Sequence, residues 1–140
     1  MIQQGLTNSF KQDILQAGQN VVTDTLKMAL YTALADLGQA TTAYTTSNEV
    51  TGTGYTAGGN QVTGATLSTD ATTGTVYVNF NNVSWPGANF TARGALIYNT
   101  SKSNKSVAVL DFGSDKTFTS TNNTVTMPAN TATTALIRFP

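Results

Sequence analysis

The 140 residues carry seven basic and seven acidic side chains, no histidine and no cysteine, and charge falls on only 10% of positions, against about 25% in an ordinary soluble domain. Without His or Cys, the Ser-His and Cys-His nucleophile systems and thiolate metal sites are excluded. The net charge is zero and the cations Lys11, Lys27, Arg93, Lys102, Lys105, Lys116 and Arg138 are dispersed, so no direct nucleic-acid partner is expected, because phosphate binding needs a concentrated positive footprint.

About a fifth of the chain is threonine and Glu49 is its one glutamate, so hydroxyls and amides replace Lys and Glu on the exterior. Interfaces are depleted in Lys, Glu and Asp, whose covering costs desolvation and side-chain entropy. Such an exterior suits a subunit packed against neighbours. The longest apolar runs, such as Ala95-Leu96-Ile97-Tyr98 and Val107-Ala108-Val109-Leu110, are four residues, against roughly 20 for a bilayer span. Met1-Ile2-Gln3-Gln4-Gly5 has neither a basic n-region nor an apolar h-region. The expectation is a chain made in a cytoplasm, without a membrane partner or a standard export signal. Its length fits one domain over 1–140, with an N-terminal arm and helix in 1–20 and a β-domain over 21–140.

In chain order, residues 8–17 read as the one helix. Ser9 followed by Gln12 has capping-box spacing, Phe10 and Ile14 share a face, and Gly18 can take the left-handed stop. The period then changes to two. Leu26, Met28 and Leu30 alternate with Thr25, Lys27, Ala29 and Tyr31, which predicts a half-buried strand. From 32 to 74 the chain is rich in Thr, Gly, Ala, Ser and Asn and reads as a long loop, with one strand over 62–67. Ordering such a segment costs about 1–2 kcal/mol per residue in backbone entropy, so something must cover it or pair with its backbone, and loops of this length are usually functional.

Val76, Val78 and Phe80 alternate with Thr75, Tyr77 and Asn79 as a further strand. Residues 93–99 and 106–112 flank the polar Thr100-Ser101-Lys102-Ser103-Asn104-Lys105, which closes a hairpin. Two more strands are predicted over 124–127, with Pro128 at its exit, and over 134–139. The pattern predicts a mainly β fold: an antiparallel β-sandwich or jelly-roll-like barrel with one short N-terminal α-helix.

The chemistry-bearing residues form no site. Asp111 and Asp115 flank Phe112-Gly113-Ser114 and read as turn-capping aspartates. Asp111-Phe112-Gly113 lacks the Gly-rich loop, lysine strand and catalytic loop that would make it a kinase element. Gly52-Thr53-Gly54 with Gly58 and Gly59 misses the phosphate-binding spacing and the following helix. No catalytic, cofactor or metal residue is expected. Trp85, beside Pro86-Gly87 at a strand end, reads as a core lid; exposed with Tyr44, Tyr55 or Tyr98, it would be a stacking platform for a sugar or a partner.

Gly5-Leu6-Thr7-Asn8-Ser9-Phe10-Lys11, Leu26-Lys27-Met28-Ala29-Leu30-Tyr31-Thr32 and the stretch from Thr46-Ser47-Asn48-Glu49 through Ala57-Gly58-Gly59 resemble a family of small virion structural proteins of tailed bacteriophages. Ala92-Arg93-Gly94-Ala95-Leu96-Ile97-Tyr98-Asn99 and Ala108-Val109-Leu110-Asp111-Phe112-Gly113 extend the likeness to most of the chain. The resemblance implies a non-enzymatic protein with no catalytic residues or cofactor. Its leading implication is a capsid decoration, or cement, protein on the capsid exterior that bridges major capsid protein subunits and pairs with copies of itself, with a trimer at three-fold positions as one closed arrangement. The expected contacts are the arm (Leu6, Phe10, Ile14) and the 48–59 loop (Asn48, Glu49, Gly52, Tyr55, Gly58, Gly59). Replacing Phe10 and Ile14 with Asp is expected to release the protein from capsids without unfolding it. The alternative is a tail-associated or fibre-associated adhesin binding a host glycan through Trp85, Tyr44 and Tyr98.

Overall fold

A computed structural model covers residues 1–140. Its elements in chain order are β1 (Gly5–Leu6), α1 (Asn8–Leu15), β2 (Leu26–Tyr31), β3 (Asn60–Val62), β4 (Thr66–Asp70), β5 (Thr75–Asn79), β6 (Val83–Ser84), β7 (Phe90–Asn99), β8 (Lys105–Phe118), β9 (Thr124–Val125) and β10 (Ile137–Phe139). They form a five-stranded sheet in the order β1-β8-β7-β2-β3, a three-stranded sheet β10-β5-β4 and a two-stranded ribbon β6-β9. Every pairing within these sheets is antiparallel. The chain is mainly β with one short N-terminal helix, and the three-stranded sheet and the ribbon pack over one face of the five-stranded sheet as in a β-sandwich.

The hairpin β7–β8 forms the centre. Asn99 pairs with Lys105 across a turn in which Ser103 (φ 55°) and Asn104 (φ 60°) are left-handed, the reversal that polar turn residues tolerate best. A bulge lies where Ile97 pairs with Ala108 but Tyr98 pairs with Ser106. The extra residue shifts the alternation, so that Val107 and Ala108 both enter the inner core while Val109 turns to the opposite face.

The inner core joins Leu26, Met28, Leu30, Ala95 and Ile97 of the large sheet to Val78, Ile137, Val83, Val125 and the flanking Trp85 and Met127. Phe90 stacks on Phe118 at 4.9 Å between centroids, and Trp85 meets Phe118 edge-on at 5.8 Å, geometries favoured by the ring quadrupole. The outer face carries a second cluster of Ile2, Ala29, Tyr31, Ala35, Leu37, Leu96, Tyr98 and Val109. Strand β2 is therefore buried on both faces, not half-buried as its alternation predicts, because part of the supposed loop lies across its outer side.

The helix departs from expectation at both ends. Its N-cap is Thr7, whose Oγ1 accepts from Phe10 N–H at 3.3 Å, while Ser9 and Thr7 both reach Ser106 Oγ, at 3.1 and 2.8 Å. At the far end Gly18 N–H donates to Asp13 C=O at 2.6 Å and Ala17 N–H to Ile14 C=O, the paired bonds of a Schellman stop. The left-handed residue is Ala17 (φ 57°), not Gly18. The single strand expected over 62–67 is split: Val62 ends β3, residues 63–65 break the run, and Thr66 and Leu67 open β4. The third and fourth strands both lie inside the segment read as loop, and β3 pairs with β2 while β4 pairs with β5.

Candidate functional site

Residues 32–59 hold little hydrocarbon, yet they are fixed: Ala35, Leu37 and Tyr44 lie on the outer face, and Val50 and Tyr55 reach round to the inner core. Backbone bonds begin the attachment: Thr32 N–H donates to Asn48 C=O at 3.0 Å and Val50 N–H to Leu30 C=O at 2.9 Å, with Tyr31 bridged to Glu49. The Glu49 side chain completes it. Oε1 accepts from Tyr55 OH at 2.6 Å and Gly58 N–H at 2.7 Å, and Oε2 accepts from Tyr44 OH at 2.7 Å. These are short, charge-assisted bonds, roughly twice as strong as neutral ones.

The donors are themselves held. Tyr55 OH also accepts from Leu30 N–H at 2.9 Å, Tyr98 OH donates to Gly58 C=O at 2.7 Å and Tyr31 OH donates to Thr45 C=O at 2.7 Å. Tyr44 stacks on Tyr98 with centroids 4.6 Å apart. Gly59 (φ 75°) closes the segment against β2, and a Cβ there would sit 1.8 Å from Met28 C=O, so no side chain fits. One carboxylate thus ties three points of a glycine-rich loop together, and Leu30 N–H and Tyr98 OH tie that loop to the sheet.

Glu49 is only 9% exposed and takes no part in the ion pairs of the chain, which join Met1 to Asp36, Arg93 to Asp111 and Lys105 to Asp13. Its hydrogen bonds stand in for a countercharge. Burial, followed by the Glu49 charge, pushes Tyr98 up to about 12. Burial, then Glu49 through charge or hydrogen bond, raises Tyr31, Tyr44 and Tyr55 well above the ordinary phenol value. All four phenols hold their protons at neutral pH and act as donors, so the chemistry of this cluster is anchoring.

The expected contact residues fare differently. Asn48 and Gly52 are exposed, Tyr55 is half-buried, and Glu49, Gly58 and Gly59 are buried. Glu49 is turned inward because the fold needs its oxygens. In the arm, Leu6 and Ile14 are half-buried against the inner core and Phe10 is wholly enclosed in it. Phe10 is therefore no surface contact in this fold, and Phe10→Asp would bury a carboxylate among hydrocarbon, so the double Asp variant unfolds the chain and cannot report release alone.

The stacking platform is likewise corrected. Trp85 is 1% exposed, Tyr98 is buried, and the hydroxyls of the half-buried Tyr44 and Tyr55 are spent on Glu49. Trp85 Nε1 is the one buried side-chain polar atom without a partner, enclosed by the Tyr55 and Phe118 rings. Asp111 and Asp115 do not close a turn: both lie within β8, where Asp111 Oδ1 accepts from Gly113 N–H at 2.9 Å and from Arg93 Nε at 3.3 Å beside the irregularity at which Ala92 pairs with Lys116 and Gly94 with Asp111.

What the fold leaves outward is the tip of the anchored segment: Thr51, Gly52, Thr53, Gly54, Thr56 and Ala57 are exposed. Met1 and Leu34 stand exposed beside residues of the outer cluster. No helix is long and apolar enough to cross a membrane. No group of three or more His, Cys, Asp or Glu side chains converges to hold a metal ion. Compared with protein-family models, curated proteins and solved structures, the chain matches none of them.

Proposed function

We propose that the chain is a non-enzymatic structural protein of a tailed-phage virion, seated on the capsid exterior where it bridges major capsid protein subunits and stabilises the shell. The observation that carries this proposal is the way the hydroxyl-rich segment is held. Glu49 and its tyrosines order the loop within the fold, so docking its exposed tip does not have to supply that ordering entropy again. The tip offers threonine hydroxyls and glycine backbone with no charge to desolvate. The sequence resemblance supplies the setting.

Each copy contributes a modest contact, and repetition over a lattice makes the sum large. Low charge predicts attachment that changes little with ionic strength. The test is copy number in purified virions, measured by quantitative mass spectrometry against the major shell subunit. A high copy number in a simple ratio to the shell supports decoration. A handful of copies places the chain in the tail and refutes it.

A further inference from the structure

The three-stranded sheet ends in two open edges, β10 and β4. An open edge presents unpaired N–H and C=O groups, and natural proteins usually protect it with lysine, proline, a bulge or a covering element. Edge β10 is protected: Arg138 sits at its centre and Pro140 follows it. Symmetric pairing of two β10 strands would set Arg138 opposite Arg138. The open side of the large sheet at β3 is tied down by Asn60 Nδ2, which donates to Ser84 C=O at 2.8 Å. Edge β4, Thr66-Leu67-Ser68-Thr69-Asp70, carries no lysine, proline or bulge.

From this we infer that β4 pairs antiparallel with β4 of a second copy of this chain, about a two-fold axis at Ser68, to make one six-stranded sheet. The register is self-complementary. Ser68 faces the partner's Ser68, Leu67 faces the partner's Thr69, and Thr66 faces the partner's Asp70. Thr66 Oγ1 already donates to Gly64 C=O and Asp70 Oδ1 already accepts from Thr72 and Thr73 N–H, so the register sets hydroxyl against hydroxyl at Ser68 and places no like charges opposite. Zero net charge removes the long-range repulsion that would oppose two copies meeting.

The same pairing answers an apolar exposure. Leu67 is opposite Val78, and Val76 lies between Thr69 and Phe139, so all of these share one face of the sheet. Where that face runs beneath α1, Val78 and Ile137 are buried with Phe10. Beyond it Leu67, Val76 and Phe139 remain 57%, 37% and 43% exposed, along a cleft that Val22 also lines. In the two-fold register Leu67 lies diagonal to the partner's Leu67, a spacing of about 7–8 Å that long side chains span. Leu67, the most exposed of the three, is then covered by its mate, while Val76 and Phe139 lie one and two strands further in. The contact needs no capsid, so it stands whether or not the chain decorates one.

The experiment is sedimentation equilibrium of the full chain over a concentration series, with two variants. The expected result is a mass rising from 14.7 kDa to twice that value. Ser68→Lys, which sets like charges opposite at the axis, holds the mass at the monomer value while its circular dichroism and melting temperature stay those of the parent. Ser68→Cys, in a chain with no other cysteine, forms a disulfide-linked dimer with oxidised glutathione much faster than Ser120→Cys on an exposed turn. A parent that stays monomeric throughout overturns the inference. So does a dimer that Ser68→Lys leaves intact, or equal cross-linking at the two positions, either of which would place self-association elsewhere.

Discussion

The two faces of the five-stranded sheet are covered by different physics. The inner face is sealed by hydrocarbon, a cluster of 22 buried residues with Trp85, Phe90 and Phe118 among them. The outer face has a cluster of eight and is closed by a segment whose firmest attachment is polar, three hydrogen bonds converging on one carboxylate. Apolar burial is non-directional and roughly additive in area, so the inner cover is shared among many residues. A buried carboxylate either keeps its donors or becomes an unpaired charge, so the outer cover hangs on Glu49.

The largest effect expected is on the inner side. Phe118→Ala removes a fully buried ring that touches Trp85, Phe90 and Phe112 and should cost about 3–5 kcal/mol. Urea denaturation would show one transition at lower denaturant with its slope unchanged, because that core melts as a whole. Glu49→Ala should cost about 2–4 kcal/mol, by leaving two phenols and an amide without their acceptor. Its mark is local: hydrogen exchange should quicken over residues 44–59 while the amides of Ala95 and Ile97 stay protected. Glu49→Gln, which keeps one carbonyl acceptor, should cost about 1–2 kcal/mol. Uniform loss of protection in Glu49→Ala would erase the distinction between the two covers.

Alkaline pH probes the tyrosines around Glu49. A buried phenol with a raised pKa keeps its proton where the unfolded chain has already lost it, so the folded state binds more protons and stability falls as pH rises. The contribution is complete below the ordinary phenol pKa of 10.0, begins to fade there, and is lost for Tyr98 as pH passes about 12. Tyr31, Tyr44 and Tyr55, raised in the same direction, extend the loss upward. Phenolate absorbance should therefore lag behind that of free tyrosine above pH 10 and then rise together with unfolding. Early, non-cooperative ionisation of all four would mean that the lid is loose.

What could be read from the sequence was what local signals determine. The β7–β8 hairpin follows from two apolar runs around a polar turn, and β2 from its alternation, because both depend on neighbours in sequence. The site was hidden for the opposite reason. Glu49 between Tyr44 and Tyr55 is visible as the single glutamate in a charge-poor stretch, but its inward turn depends on Tyr98 and on the sheet beneath, which only the fold supplies. Strand β4 has one apolar residue, Leu67, and no alternation to detect; pairing with β5 defines it. Thr7 and Ser9 are both credible caps by type and both reach Ser106; Thr7 is the cap because its Oγ1 is the one that accepts from Phe10 N–H.

The smallest expected effect tests the helix that plugs the inner face. Ala17 occupies the left-handed stop of α1 with φ 57°, where a Cβ crowds the backbone and glycine has no such penalty. The residue is exposed, so its methyl group contributes little packing. Glycine there gives up some stability through the greater freedom of the unfolded chain, yet relief of the left-handed strain outweighs this, and Ala17→Gly should stabilise by about 0.5–1 kcal/mol. In a domain of this size that raises the melting temperature by roughly 2–4 °C. Because Phe10 ties α1 to the inner core, the gain should appear in global unfolding and leave exchange across the Glu49 lid unchanged. A destabilised variant would mean that the helix stops elsewhere, and a gain confined to the lid would mean that the two covers are coupled through the sheet.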